Sequence, residues 1–168
     1  ENDTIYYHRP QLWTAGIEKA TTGYDLCKWL SSDEAQQKQY YTTTAVPLFR
    51  AGECYLNYIE AYYERYGNLN DKAIRYWKAL RARAGVDTDF QKTIDATDLE
   101  KENDLAIYSH GKKIDKTLYN IRRERRCEFI SEGMRWDDLK RWRSWDPAIT
   151  GHYMLEGMNL WDEAYKKY

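Results

Sequence analysis

From residue 47 onward the chain passes between stretches with helical spacing of apolar positions and stretches without it. Between Leu48 and Glu64 apolar or aromatic residues fill most of a helical circumference: Ala51, Cys54, Tyr55, Leu56, Tyr58, Ile59, Ala61, Tyr62 and Tyr63. The polar side chains Arg50, Glu53, Asn57, Glu60 and Glu64 gather into one arc about 80° wide at 3.6 residues per turn. A helix this apolar is expected to be largely buried. Pro47 suits its early positions, Gly67 a left-handed stop, and Asn70 or Asp71 the cap of a following helix. That second helix carries Ala73, Ile74, Trp77, Leu80 and Ala84 on one stripe and stops at Gly85. Residues 47–85 therefore predict a helical hairpin resembling a single tetratricopeptide-type unit.

Residues 86–116 are rich in Asp, Thr and Lys and lack sustained periodicity. They read as a long loop with a short helix near Asp98–Leu105, either an insertion or a contact element. Residues 117–145 predict a charged helix, a break at Gly133, and a shorter helix with Trp136, Leu139, Trp142 and Arg143. Residues 1–46 are mixed: TIYYH suits a short strand, Pro10 and Gly23 punctuate, and SSDEAQQKQYYTTT is a polar connection. Past Pro147 the pattern fades, and 146–168 is a C-terminal segment with one or two amphipathic turns. The predicted class is mainly α, a tetratricopeptide-like hairpin plus further helices with long irregular loops. At 168 residues a single domain, 1–168, is expected.

The stretch IRRERRCEFISEGMRWDDLKRW, residues 121–142, sets ionisable groups inside its own apolar face. Read as one helix, Arg125 lies about 20° and Glu132 about 40° from Leu118, flanking Ile121 and Phe129, with Glu128 beside them. An isolated buried charge costs several kcal/mol, so such groups must be paired if they turn inward. The polar arc of the first helix supplies partners. Either that arc faces water, or Arg50 and Arg125 meet Glu53, Glu60, Glu128 and Glu132 in a cross-helix network; the second arrangement is preferred. It would fix helix pairing more than it adds stability.

Acids and bases nearly cancel, 27 against 26, so no global field steers the chain to nucleic acid or anionic lipid. RRERR does not change this, because eight basic residues between Arg122 and Asp146 are interleaved with six acidic ones. No apolar run reaches the length of a membrane span. Cys27, Cys54 and Cys127 are odd in number and far apart. The last two are expected to be small buried hydrophobes. His8, His110 and His152 are isolated, so no metal site is indicated, and no cofactor is implied. Glu128 and Glu132 could form an acid/base pair, but their arginine neighbours favour ordinary ionised carboxylates. No nucleophile elbow, phosphate loop or dinucleotide fingerprint is present. The chain is not expected to be an enzyme. Its aromatic content is 15%, with 16 Tyr and 7 Trp against 3 Phe. Rings with a polar tip suit partly wet surfaces and sugar stacking, although bulk in a helical core is the commoner use.

The segments LFRAGECYLNYIEAYYERYGN, KALRARAGV and RRERRCEFISEGMRWDDLKRW resemble the C-terminal helical signature of the SusD/RagB family, over roughly residues 40 to 145. The first motif is matched by Arg50, Glu53, Leu56, Asn57, Glu60 and Ala61, and the second by Arg81, Arg83, Ala84 and Gly85. The third is matched by Glu124, Arg125, Glu128, Glu132, Gly133, Arg135, Asp138, Leu139, Arg141 and Trp142. Gly52 and Cys54 depart from the family's usual small apolar and aliphatic residues. The resemblance implies a surface-exposed lipoprotein of the outer membrane that binds glycan or another nutrient. It would deliver that ligand to a TonB-dependent, SusC-like transporter. It also implies that Arg50, Glu53, Asn57, Glu60, Arg125, Glu128, Glu132, Arg135, Asp138 and Trp142 maintain a scaffold and do not touch sugar. Tyr6, Tyr7, Trp13, Tyr24 and Trp29, in the irregular N-terminal region, are then the candidates for ligand contact. Family members are longer and begin with a leader and a lipidated cysteine, so the chain is expected to be a C-terminal fragment lacking the anchor. A helical adaptor that binds protein and no glycan is the rival expectation.

Overall fold

The computed structural model describes residues 47–145, together with Lys28, Asp33 and Ala45. Two compact units divide the chain, and all of 47–145 falls in the one spanning Pro47–Met154. The described residues are mainly helical. Five α-helices follow in order: α1 Ala51–Tyr66, α2 Asp71–Arg83, α3 Phe90–Ala96, α4 Lys116–Glu128 and α5 Met134–Arg141. A 3-10 turn, Leu105–Ile107, and a two-stranded hairpin lie between α3 and α4.

Helix α1 begins later than the proline suggested. Pro47 precedes it, Leu48 and Phe49 are exposed, and Arg50 is the N-cap in extended backbone with no side-chain capping bond. The Arg50 side chain is committed elsewhere, as described below. At the other end Gly67 adopts φ 67°, and its N–H closes on the Tyr63 carbonyl at 2.8 Å. Asn70 then caps α2, its Oδ1 accepting from the Ala73 N–H at 2.8 Å. The same side chain donates through Nδ2 to the Tyr58 hydroxyl at 2.9 Å, tying the two helices at the turn.

Only one face of α1 is covered. Gly52, Leu56, Ile59 and Glu60 are buried, at the spacing of one helical stripe facing α2 and α4. Cys54 sits two residues from Gly52 and is exposed, as is Cys127, two residues beyond buried Arg125 on α4. Neither is the buried hydrophobe that the sequence suggested. A helix can be apolar around most of its girth and still bury one stripe.

The main core joins Leu56 and Ile59 of α1 to Ala73, Trp77 and Leu80 of α2, Phe90 and Ile94 of α3, and Ile121 and Phe129. Trp77 and Phe90 stack at 4.2 Å with planes 2° apart. That contact explains α3, which lies at 90–96 and not at 98–105. Asp89 caps it by accepting from the Gln91 N–H, and Phe90 and Ile94 bury one turn apart. The hairpin pairs Tyr108 with Lys113 and Ser109 with Lys112. His110 and Gly111 both take positive φ at its two-residue turn, the geometry that matches strand twist.

Helix α4 is capped by Asp115, which accepts from the N–H groups of Thr117 and Leu118. It ends at Glu128, five residues before Gly133. Phe129–Gly133 form a turn in which Ser131 (φ 61°) and Gly133 (φ 77°) are both left-handed. A second core cluster gathers Leu105, Ala106, Ile107, Tyr119, Leu139 and Trp142 around α5. The motif residues are therefore divided between a helix, a turn and a second helix.

Candidate functional site

Besides the Arg81–Glu124 pair between α2 and α4, where Glu124 also accepts from the Trp77 indole N–H, three clusters of ionic groups stand out among the described residues. In the first, Arg50 grips Glu132 with two parallel bonds, Nε to Oε2 at 2.8 Å and Nη2 to Oε1 at 2.7 Å. Its Nη2 also donates to the Glu128 carbonyl at 2.6 Å, and its Nη1 donates to the Glu128 carboxylate. Arg83 of α2 reaches the same Glu128 carboxylate. Two-point contact between guanidinium and carboxylate is the strongest and most directional form of ion pair. Burial alone would lower the Arg50 pKa, but the bonds to Glu132 and Glu128 outweigh it and raise the value. The guanidinium also lies over Phe129, 4.6 Å from the ring centroid.

Gly52 makes room for this arrangement. A Cβ there would lie 2.9 Å from Arg50 Nη1 and 3.1 Å from Glu128 Oε1. The departure from the expected small apolar residue thus sits directly beneath the first cluster.

The second cluster lies between α1 and α5. Glu60, 3% exposed, accepts from Arg141 Nη1 at 2.8 Å and Nη2 at 2.6 Å, and from the Trp142 indole N–H. Arg141 Nε turns to Asp138 Oδ1 at 2.9 Å, and the other Asp138 oxygen accepts from Arg125 Nε at 2.7 Å. Arg125 Nη1 returns to α1, donating to Asn57 Oδ1 at 2.6 Å. Burial works against the Arg141 charge, yet Glu60 and Asp138 together raise its pKa.

The third cluster lies in the long loop. Asp104 takes Arg126 Nη1 at 2.9 Å and also the Arg135 guanidinium, while capping the 3-10 turn through the Ala106 N–H. Glu102 accepts from the Tyr119 hydroxyl at 2.7 Å and from Arg123 at 3.2 Å.

The structure thus brings Arg50 to Glu128 and Glu132. It does not bring Arg125 to the glutamates, and Arg125 faces Asp138 and Asn57 instead. Glu53, half-buried in the first turn of α1, joins none of the three clusters among the described residues. The reason is the early end of α4. Angles counted along one continuous helix to Glu132 misplace everything after Glu128, and the reversal delivers Arg141 and Trp142 to Glu60 and Asp138 to Arg125. Arg122 was missed altogether. It is 1% exposed, donates to the carbonyls of Ala106 and Tyr108, and lies over Trp142 at 4.5 Å. Asp104 also carried no signal, because a lone acid in an aperiodic loop looks like any solvated one. Tyr6, Tyr7, Trp13, Tyr24 and Trp29 lie outside the described residues.

The clusters set carboxylates against guanidiniums. Such pairing fixes the position and orientation of both partners. Among the described residues, no group of three or more His, Cys, Asp or Glu side chains is placed to hold a metal ion. No described helix is long and apolar enough to cross a membrane.

The described residues thus form a mainly helical fold cross-linked by arginine–carboxylate clusters. The SusD family model matches residues 1–168, and the chain belongs to the SusD family. Proteins of this family are non-catalytic binding proteins and surface lipoproteins of the outer membrane. Membership implies binding of glycan or another nutrient there and association with SusC-like transporters. No curated protein and no solved structure matches the chain.

Proposed function

We propose that this chain captures a glycan or oligosaccharide at the cell surface and delivers it to a TonB-dependent, SusC-like outer-membrane transporter. It performs no chemistry on the ligand. The family match along 1–168 carries this reading. The ion-pair clusters support it, since they give α1, α2, α4 and α5 a fixed register in which a ligand surface can be held. In this reading Arg50, Asn57, Glu60, Arg125, Glu128, Glu132, Arg135, Asp138 and Trp142 maintain the scaffold. The α1–α2 hairpin acts as a tetratricopeptide-like unit available to the transporter. Sugar is held by stacking on aromatic rings and by hydrogen bonds to its hydroxyls. Tyr6, Tyr7, Trp13, Tyr24 and Trp29 are proposed as such rings.

The test is calorimetric titration with a panel of neutral and acidic oligosaccharides, beside co-purification with a SusC-like transporter. Saturable binding of at least one glycan, together with retention by the barrel, is the expected result. Tight association with a protein partner and no glycan binding would overturn capture in favour of the adaptor alternative.

A further inference from the structure

A cavity of about 850 Å³ opens where the end of α4, the 129–133 turn and α5 meet. Its volume falls within the roughly 300–1,000 Å³ typical of small-molecule sites. Phe129 and Leu139 form buried wall, while Ile130 and Trp136 are 58% and 55% exposed beside it. Trp136 and Trp145 meet at 4.6 Å with planes 59° apart, so the two rings make an angled wall and not a closed stack. Phe129 also underlies the Arg50 and Arg125 guanidiniums, so this wall abuts the first two ion-pair clusters.

The polar part of the lining is lopsided. Arg123, Arg126 and Arg135 line the cavity, and the carboxylates that answer them are Glu102 and Asp104. Arg126 and Arg135 share Asp104, so three guanidiniums face two carboxylates and one positive charge is left over. Arg126 is 54% exposed along its side chain and commits one nitrogen to Asp104. A guanidinium has five N–H donors, so most of its capacity is free. The free donors that face the cavity are therefore those of Arg126.

An apolar angled wall, a surplus positive charge and a surplus of donors together fit a ligand with a flat C–H face, a carboxylate and many oxygens. A uronic-acid unit has all three. We propose that this cavity is a subsite for an acidic sugar, with the ring against Trp136 and the carboxylate on Arg126; this rests on the glycan-capture reading above. It names the class of glycan and adds contacts outside the N-terminal aromatic residues.

The experiment titrates the full chain with trigalacturonate, trimannuronate and, as a neutral control, maltotriose, read by calorimetry and tryptophan fluorescence. At least one acidic trimer is expected to bind and quench, with affinity falling as salt rises. Trp136→Ala, at an exposed position, should weaken that binding about tenfold, the scale of one lost aromatic contact. Arg126→Gln should weaken it by about tenfold as well and flatten the salt dependence. Circular dichroism and unfolding midpoints confirm that both variants fold. Acidic-trimer affinity untouched by either folded variant would overturn the subsite, and so would binding of maltotriose alone, while glycan capture itself would stand. Failure of these sugars and of the whole wider panel would overturn both.

Discussion

Arg125 donates from Nε to Oδ2 of Asp138 at 2.7 Å, and each side chain is only 6% exposed. Asp138 also holds Arg141, and Arg125 also holds Asn57, so this pair joins α4, α5 and α1 at one point. Replacing one member leaves the other buried and unanswered. Asp138→Ala is expected to cost about 3–5 kcal/mol, the range for breaking a buried pair. Urea denaturation followed by tryptophan fluorescence measures it. A loss below about 1 kcal/mol would mean that water reaches Arg125 freely.

Gly52 should behave against its helix propensity. A glycine-to-alanine change inside a helix ordinarily stabilises by roughly 0.5–1 kcal/mol. Here the new Cβ would press on Arg50 Nη1 and Glu128 Oε1, the ends of side chains already fixed by several bonds. Gly52→Ala alone is therefore expected to be neutral or destabilising. The same change made on Arg50→Ala should recover a gain of about 0.5–1 kcal/mol, because the nearer obstruction has gone and Glu128 has lost one of its anchors. Denaturant midpoints of the four proteins decide the matter.

Alkaline stability should depend on Tyr119. Burial, with the bond to Glu102 and the nearby Asp104 charge, pushes its hydroxyl above the usual tyrosine range. The unfolded chain ionises first, so the contribution of Tyr119 is whole below about pH 10 and is lost as pH rises beyond it. Tyr63 is raised in the same direction, mainly by burial. Tyr119→Phe should cost about 1 kcal/mol at neutral pH through the lost Glu102 bond. It should also make the fall in stability above pH 10 shallower. Urea midpoints taken from pH 8 upward for both proteins test the slope.

Much of the helical layout was legible because it rests on local signals. Asn70, Gly67 and Gly85 mark ends that capping chemistry dictates, and Ala73, Trp77 and Leu80 lie on a stripe that must be buried. The charges in RRERRCEFISEG were informative for the same reason, since paired charges on an apolar face need distant partners. What failed was the partner list. The α4 terminus at Glu128 depends on a turn with Ser131 in the left-handed region, a conformation that serine does not advertise. Once the helix stops there, Glu132 still reaches Arg50, but Glu60 receives Arg141 and Trp142 in place of Arg125. Asp104 and α3 were hidden because their partners, Arg135 and Trp77, lie far away in sequence. Cys54 and Cys127 were misread because residue type says little about which side of a two-sided helix is covered.

The account depends on ion pairs that join α1 to the segment following α4 across the interior. The most direct measurement is a double-mutant cycle on Arg50 and Glu132, using Arg50→Ala, Glu132→Ala and the double variant in denaturant unfolding. Their two-point contact, with side chains 20% and 11% exposed, should give a coupling of about 1.5–3 kcal/mol. Each single variant should lose about 3 kcal/mol. A coupling under about 0.5 kcal/mol, with single losses equally small, would show that these charges stand in water and that the frame is not held by them.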